Sequence, residues 1–393
     1  MSTLTARKSG TTLFLIGILL IAANLRVGIT PVGPVIGEIR ADLHLPASTA
    51  SALTSIPLLA FAVVSPFAAS LANRWGPQRT LAGALAVLAL AIVIRSTPWA
   101  PSLWIGTALL GVSVAVLNVV LPALVKEEFP GRVGPVTGIY SAAQSAFAAI
   151  AAGVAVPVAA VAPGGWRTSL GLWAVLAVVA LIVLAPQLRL PHHAAAVAPV
   201  GGAPARSTWR SPLAWQVTVF MGLQSTAFYV LITWLPSVEL ANGLTAAQAG
   251  FHQLLFSALA IAGSLGASSV LRRGDDQRVL AATSTLLVAA GIAIAMFAPP
   301  LAVIGVCVTG VGAGGAIVLA LSLFGLRTRH PLQAARLSGM AQSVGYLIAA
   351  AGPIAIGLLH DATGSWNLAL GVLFPLLAIQ LVVGLLAARD RSL

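Results

Sequence analysis

Apolar residues fill this chain in long unbroken blocks. They form neither the i, i+3, i+4 stripe of a water-facing helix nor the alternation of a half-buried strand. The blocks fall at about 11–37, 48–72, 80–97, 101–125, 137–162 and 168–186. They resume at about 213–238, 247–271, 279–297, 300–326, 337–359 and 366–388. Each is near the ~20 residues that carry a helix across a ~30 Å hydrocarbon layer. Barrel strands are roughly half as long and alternate in polarity. The pattern predicts an all-α integral membrane protein with twelve transmembrane helices.

The polar segments between the blocks are short, with one exception. Residues 187–212 are rich in Pro, Ala and Gly and carry Arg189, His192, His193, Arg206 and Arg210. They read as a linker between a six-helix bundle at 1–186 and a second at 213–393. His192 and His193 are two ligands, too few for a metal site, and fit a solvated loop better. The halves repeat. Gly111, Pro130 and Gly138 recur as Gly312, Pro331 and Gly339, and Glu38 as Glu239, all at an offset of 201. Asn24 matches Gln224 at 200, and Gln78 and Arg79 match Gln277 and Arg278 at 199. Two pseudo-symmetric six-helix bundles are the pattern of a transporter whose halves rock about a central site.

Composition narrows the function. The chain is 59% hydrophobic and 8% charged, against roughly 25% charged in soluble domains, so it cannot build a water-facing surface. The net charge of +12 is explained by loops, not by nucleic acid. With the N-terminus cytoplasmic, 17 of the 21 basic residues fall on that side, and Arg40, Arg95 and Arg167 on the other. Both termini are therefore expected in the cytoplasm. The N-terminal apolar run is too long for a signal peptide and reads as helix 1. Cys307 stands alone and forms no internal disulfide. No Walker motif, metal cluster or nucleophile–base spacing marks an enzyme, and no cofactor is implied. Gly310 to Gly315 fits GxGxxG, but it lies inside an apolar span, where close helix packing explains it better.

The segment Leu71-Ala72-Asn73-Arg74-Trp75-Gly76-Pro77-Gln78-Arg79 resembles the signature loop of the major facilitator superfamily, with a degenerate counterpart at Arg272 to Arg278. Asn24-Leu25-Arg26, Thr30-Pro31-Val32-Gly33-Pro34 and Gly243 to Gly250 are similar to its cyanate/2-nitroimidazole permease branch. The resemblance implies the major facilitator fold and secondary transport of a small molecule by alternating access across a bacterial inner membrane, with the protein acting as a monomer. It also implies that Arg74 and Arg79 serve a conformational latch. The family usually has Asp where Asn73 stands, which removes the acidic member of that latch. Helices 1, 4, 7 and 10 line the cavity in relatives, which favours residues on them.

One basic residue belongs to no loop. Arg26 lies 15 residues into the first block, about 22 Å along a helix and so near mid-membrane. Holding Arg there costs roughly 2.5–3.5 kcal/mol on insertion scales, and the group stays protonated. Of nine acids, Glu127, Glu128, Asp275, Asp276 and Asp390 fall on the side of the termini, and Glu38, Asp42, Glu239 and Asp361 near the other side. None is central; Glu239 is the acid best placed to reach Arg26 as a structural partner. Otherwise the partner is the substrate, a small anion such as cyanate or a carboxylate held by the planar guanidinium fork. A proton-linked exporter of neutral heteroaromatics such as nitroimidazoles is the alternative. Asn24, Asn118, Tyr140, Gln144, Gln224, His252 and Gln342 are the polar residues expected to complete the site, each equally explicable as an interhelical hydrogen bond. Phe228, Tyr229 and Trp234 suit apolar walls. His252 is the histidine well inside a span and the candidate for proton coupling. Anion uptake against a membrane potential requires a co-transported proton or a counter-anion.

Overall fold

The computed structural model describes residues 2–99, 101–129, 132–186, 208–271, 276–329 and 331–393. Most of the predicted linker, with His192 and His193, lies outside them. All regular structure among the described residues is helical. The first half contains α1 (Ser2–Val27), α2 (Val32–Leu43), α3 (Ala47–Ala50), α4 (Ala52–Trp75) and α5 (Pro77–Arg95). It continues with α6 (Ser102–Glu128), α7 (Val133–Val161), α8 (Trp166–Gly171) and α9 (Ala174–Leu184). The second half contains α10 (Pro212–Ala241), α11 (Ala246–Leu271), α12 (Arg278–Phe297) and α13 (Ala302–Leu326). It ends with α14 (Pro331–Thr363), α15 (Trp366–Gly371) and α16 (Leu373–Ala387).

Among the described residues, eleven helical stretches are long and apolar enough to cross a membrane, and α1 with α2 makes a twelfth span bent by 43°. Large apolar side chains such as Val161 and Phe297, 85% and 73% exposed, face outward where lipid would meet them.

The bend falls inside the first block, expected at about 11–37, and the span runs on to Leu43. Pro31 and Pro34 lack the N–H groups that would reach the carbonyls of Val27 and Thr30. The backbone compensates locally. Arg26 O accepts from both Ile29 N and Thr30 N, at 2.9 and 3.0 Å, and Val32 N turns to Ile29 O at 3.2 Å.

Small residues set the spacing of the other helices. The glycine run expected to serve packing does so: a Cβ on Gly314 would lie 1.9 Å from Ala260 O of α11, and one on Gly312 2.7 Å from Ser284 O of α12. The two halves meet tightly on the face opposite the termini. A Cβ on Gly33 of α2 would sit 1.9 Å from Ile232 O of α10. The hydroxyls of Thr54 and Thr233 are 2.9 Å apart. Asp361 accepts hydrogen bonds from Ala47 N and Ser48 N, at 2.9 and 2.8 Å, and so caps α3 from across the interface. These contacts seal one end of the space between the halves.

Candidate functional site

The space is open toward the other end. A cavity of about 260 Å³ extends from Arg26 toward the face of the termini, lined by Asn118, Tyr140, Gln144, Gln342 and Tyr346 among others. Two smaller chambers adjoin it. One adds Gln224, Ser225 and Ser264; the other adds Ile29, Thr30 and Ile232. Arg26 and Tyr346 line all three.

Arg26 occupies the last turn of α1, just before the break. The partial negative charge of a helix C-terminus favours a cation there, which offsets part of the expense of burying it. Among the described residues its guanidinium has no hydrogen bond or ion pair. It lies against the Phe228 ring, 5.1 Å from the centroid. Phe228 in turn packs edge-on to Tyr229 at 5.3 Å and against Phe256 at 5.8 Å. Phe61 meets Tyr346 edge to face at 5.5 Å, closing the cavity toward the sealed end with a contact between the halves. The cation thus has an aromatic wall on one side and open space on another, with amide side chains around it.

Six of the eight residues expected at the site come together here: Arg26, Asn118, Tyr140, Gln144, Gln224 and Gln342. Two do not. Asn24 is fully buried and donates from Nδ2 to Leu20 O at 2.8 Å and to Leu176 O at 3.3 Å, so it ties α1 to α9 instead of facing the cavity. His252 lies near the sealed face, its Nδ1 hydrogen-bonded to Glu239 Oε1 at 2.7 Å. That contact also corrects the reading of Glu239 as the acid best placed to reach Arg26: its partner is on α11, thirteen residues along the chain. Trp234 does not wall the cavity either; it is buried and donates to Pro353 O at 2.9 Å.

The Glu239–His252 pair is well enclosed, with side-chain exposures of 2% and 11%. Other ionisable groups on the neighbouring elements are engaged elsewhere or exposed. Asp42 pairs with Arg167 at 2.7 Å, Asp361 caps α3, Arg40 donates to Leu45 O, and Glu38 is exposed.

Arg74 and Arg79 are exposed beside the sharp turn at Gly76, whose φ is 86°, and line none of the three chambers. No ion pair is described for either. In the corresponding loop of the second half, Arg278 pairs with Asp276 at 2.6 Å and holds that carboxyl down to about 2.

Sequence reasoning missed Arg95. Its position at the end of a block suggested a loop, yet it is only 2% exposed. It missed Phe61, Ser225 and Ser264 as well, because small hydroxyls and single aromatics carry no distinctive signal in an apolar helix.

Comparison with known proteins places this arrangement. The profile of the Major Facilitator Superfamily matches residues 14–353. The 2-nitroimidazole transporter of Escherichia coli (strain K12) is 41% identical over 378 residues, covering 96% of this chain and 95% of that one. The cyanate transport protein CynX of the same organism is 27% identical over 357 residues, 90% of this chain and 91% of its own. Among solved structures, a bacterial homologue of the human lysosomal transporter Spinster superposes with a TM-score of 0.79 at 13% identity, covering 97% and 98% of the two chains.

Proposed function

The chain belongs to the Major Facilitator Superfamily and is a membrane transporter, not an enzyme; from that premise we propose that it moves a small anion by alternating access, with Arg26 as the anchor. The observation that carries this reading is the unpaired guanidinium facing open space between the halves. A fixed charge in a low-dielectric cavity favours a ligand of opposite charge, and the planar fork selects two-oxygen groups over spherical ions. Asn118, Gln144, Gln224 and Gln342 supply donors and acceptors around it, and Tyr140 and Tyr346 hydroxyls. Cyanate-sized anions and small carboxylates fit the volume.

A second reading has its own support. The relative at 41% identity is named for 2-nitroimidazole, a heteroaromatic whose nitro group presents the same two-oxygen fork without net charge. The Phe228 and Tyr229 rings beside Arg26 suit a planar ligand.

Sealing at the far face and opening toward the termini correspond to an inward-facing state when both termini are cytoplasmic, the orientation that the loop charges favour. The two six-helix bundles, 1–186 and 213–393 about the 187–212 linker, then rock to expose Arg26 to the other side. Moving a monovalent anion inward against ~100 mV costs about 2.3 kcal/mol, so uptake needs a proton or a counter-anion. The Glu239–His252 pair is the titratable group best placed to supply the proton. It is closed off while the outer seal is shut and meets water when the seal opens.

Counterflow in proteoliposomes tests the anchor, with labelled cyanate, benzoate and 2-nitroimidazole offered to wild type, Arg26→Lys and Arg26→Ala. Arg26→Ala is expected to reduce transport of the preferred substrate by roughly two orders of magnitude, the scale of losing a buried charge-assisted contact. Arg26→Lys keeps the charge without the fork and should fall between. Wild-type anion transport by Arg26→Ala would refute the anchor. Transport of 2-nitroimidazole in preference to both anions would favour the second reading.

A further inference from the structure

We infer that Arg95 is a positioning residue that holds the break in the first span, and through it the Arg26 guanidinium, in the arrangement described. Arg95 ends α5 and is buried where α6 lies flush against it. A Cβ on Gly106 would come within 2.6 Å of Ala91 O, Arg95 N and Arg95 Cβ. From there Arg95 Nη1 donates to Gly28 O at 2.7 Å.

The geometry explains why that carbonyl needs a donor. In an uninterrupted helix Gly28 O would accept from Val32 N, four residues on. Here Val32 N bonds to Ile29 O, and the guanidinium stands in for the missing amide. The break is also clamped from α6, since a Cβ on Gly28 would meet Leu110 Cδ1 at 2.6 Å. Arg95 lines none of the three chambers around Arg26, so it acts through the backbone and not by touching substrate.

The side chain is not otherwise committed. Among the described residues Nε and Nη2 of Arg95 have no hydrogen-bond partner. A fully buried cation whose single described side-chain hydrogen bond goes to one backbone carbonyl is expensive as a structural element. It is well suited to a contact that must form and release. Straightening the first span would return Val32 N to Gly28 O and free the guanidinium. While the bend lasts, α2 is aimed so that Gly33 meets α10 and the far face is sealed. Arg26 is two residues before the capped carbonyl, so one hydrogen bond sets both the seal and the direction of the anchor.

This inference rests on the proposed role of Arg26 for its consequence on binding, and its test has one arm free of that role. A Thr54→Cys reporter in a Cys307→Ser background places a thiol in the sealed interface, where Thr54 is 2% exposed. A membrane-impermeant maleimide is applied from the face opposite the termini, in the full-length protein in vesicles. Arg95→Met should speed alkylation roughly tenfold, the size expected for losing a hydrogen bond from a charged donor. Arg95→Lys retains a donor of shorter reach and should rescue most of that change. In the second arm, benzoate and 2-nitroimidazole counterflow should show a higher half-saturation concentration in Arg95→Met, with the maximal rate less affected. Alkylation at the parent rate in both variants overturns the inference, whatever Arg26→Ala does to transport. If Arg95→Met does not accumulate in the membrane, Arg95→Lys carries the test: a twofold to threefold rise supports it, and the parent rate overturns it.

Discussion

The first spans of the two halves begin from corresponding sequence and end in different structures. Asn24 and Gln224 correspond, as do Glu38 and Glu239. In the first half the span breaks after Arg26 and bends by 43°. In the second, α10 runs unbroken for 30 residues, with Pro236 close to its end. One proline near a helix terminus removes a single hydrogen bond, whereas Pro31 and Pro34 remove two within one turn, those to the Val27 and Thr30 carbonyls. The environments diverge accordingly. Asn24 is a packing residue while Gln224 lines the cavity; Glu38 is exposed while Glu239 is buried against His252. The repeat preserves the path of the helices. Chemistry is divided between them: a cation and a hinge on one side, an aromatic wall and a titratable pair on the other.

The sharpest way to break this comparison is at the point where the two spans touch. A side chain on Gly33 would collide with the Ile232 backbone, which has no rotamer to yield. Overpacking of this kind typically costs ~1–3 kcal/mol or more, applied here to one conformation of the cycle. Gly33→Val is therefore expected to reduce counterflow below roughly a tenth of wild type and to leave the far face open to the maleimide. Gly37→Ala on the same helix meets only Leu240 Cδ1, at 4.0 Å, and should transport normally. Full transport by Gly33→Val would mean that the close approach of α2 and α10 is not needed for the cycle.

A second contrast separates the paired glutamates. Glu239→Gln removes the carboxylate facing His252, and breaking a buried ion pair from one side typically costs about 3–5 kcal/mol. If the pair carries the proton, wild-type anion uptake rises as the external solution is acidified. In Glu239→Gln the rate should be lower and independent of external pH. Glu38→Gln, at the corresponding exposed position, should keep the wild-type profile. Initial uptake rates at a series of external pH values decide between them, and a Glu239→Gln profile matching wild type would remove the pair from coupling.

How much of this was legible in the sequence follows from what each signal measures. Hydropathy counts apolar residues, so it located the spans to within a few residues and left Arg26 visible as a charge in an apolar run. It does not count hydrogen bonds, so the break that Pro31 and Pro34 make inside the first span leaves no mark in it. Arg95 was assigned to a loop because it ends a block, yet the close packing allowed by Gly106 buries it. Polar residues in helices were easy to find, but the face they occupy is set by packing. That is why Asn118 and Gln144 turned to the cavity while Asn24 and His252 turned to other helices. Glu239 was considered for Arg26 on its place along the chain, and contact with the next helix decided otherwise.

The smallest expected effect is also the cleanest measure of how far the two halves have diverged. Gln224 Nε2 donates to Ser225 Oγ at 2.7 Å and to Met221 O at 3.2 Å, while the residue borders the chamber beside Arg26. Removing one polar contact of this kind is worth about 1 kcal/mol, so Gln224→Ala should raise the half-saturation concentration roughly fivefold, with thermal stability little changed. Asn24→Ala should do the reverse. It deletes an interhelical bond of the size measured in membrane bundles, about 0.6 kcal/mol on average and under ~2, so the melting temperature falls slightly and half-saturation stays put. Measuring both quantities on both variants places each residue on one axis or the other. Were Asn24→Ala to alter affinity and Gln224→Ala only stability, the assignment of binding to one first span and packing to the other at this position would have to be exchanged.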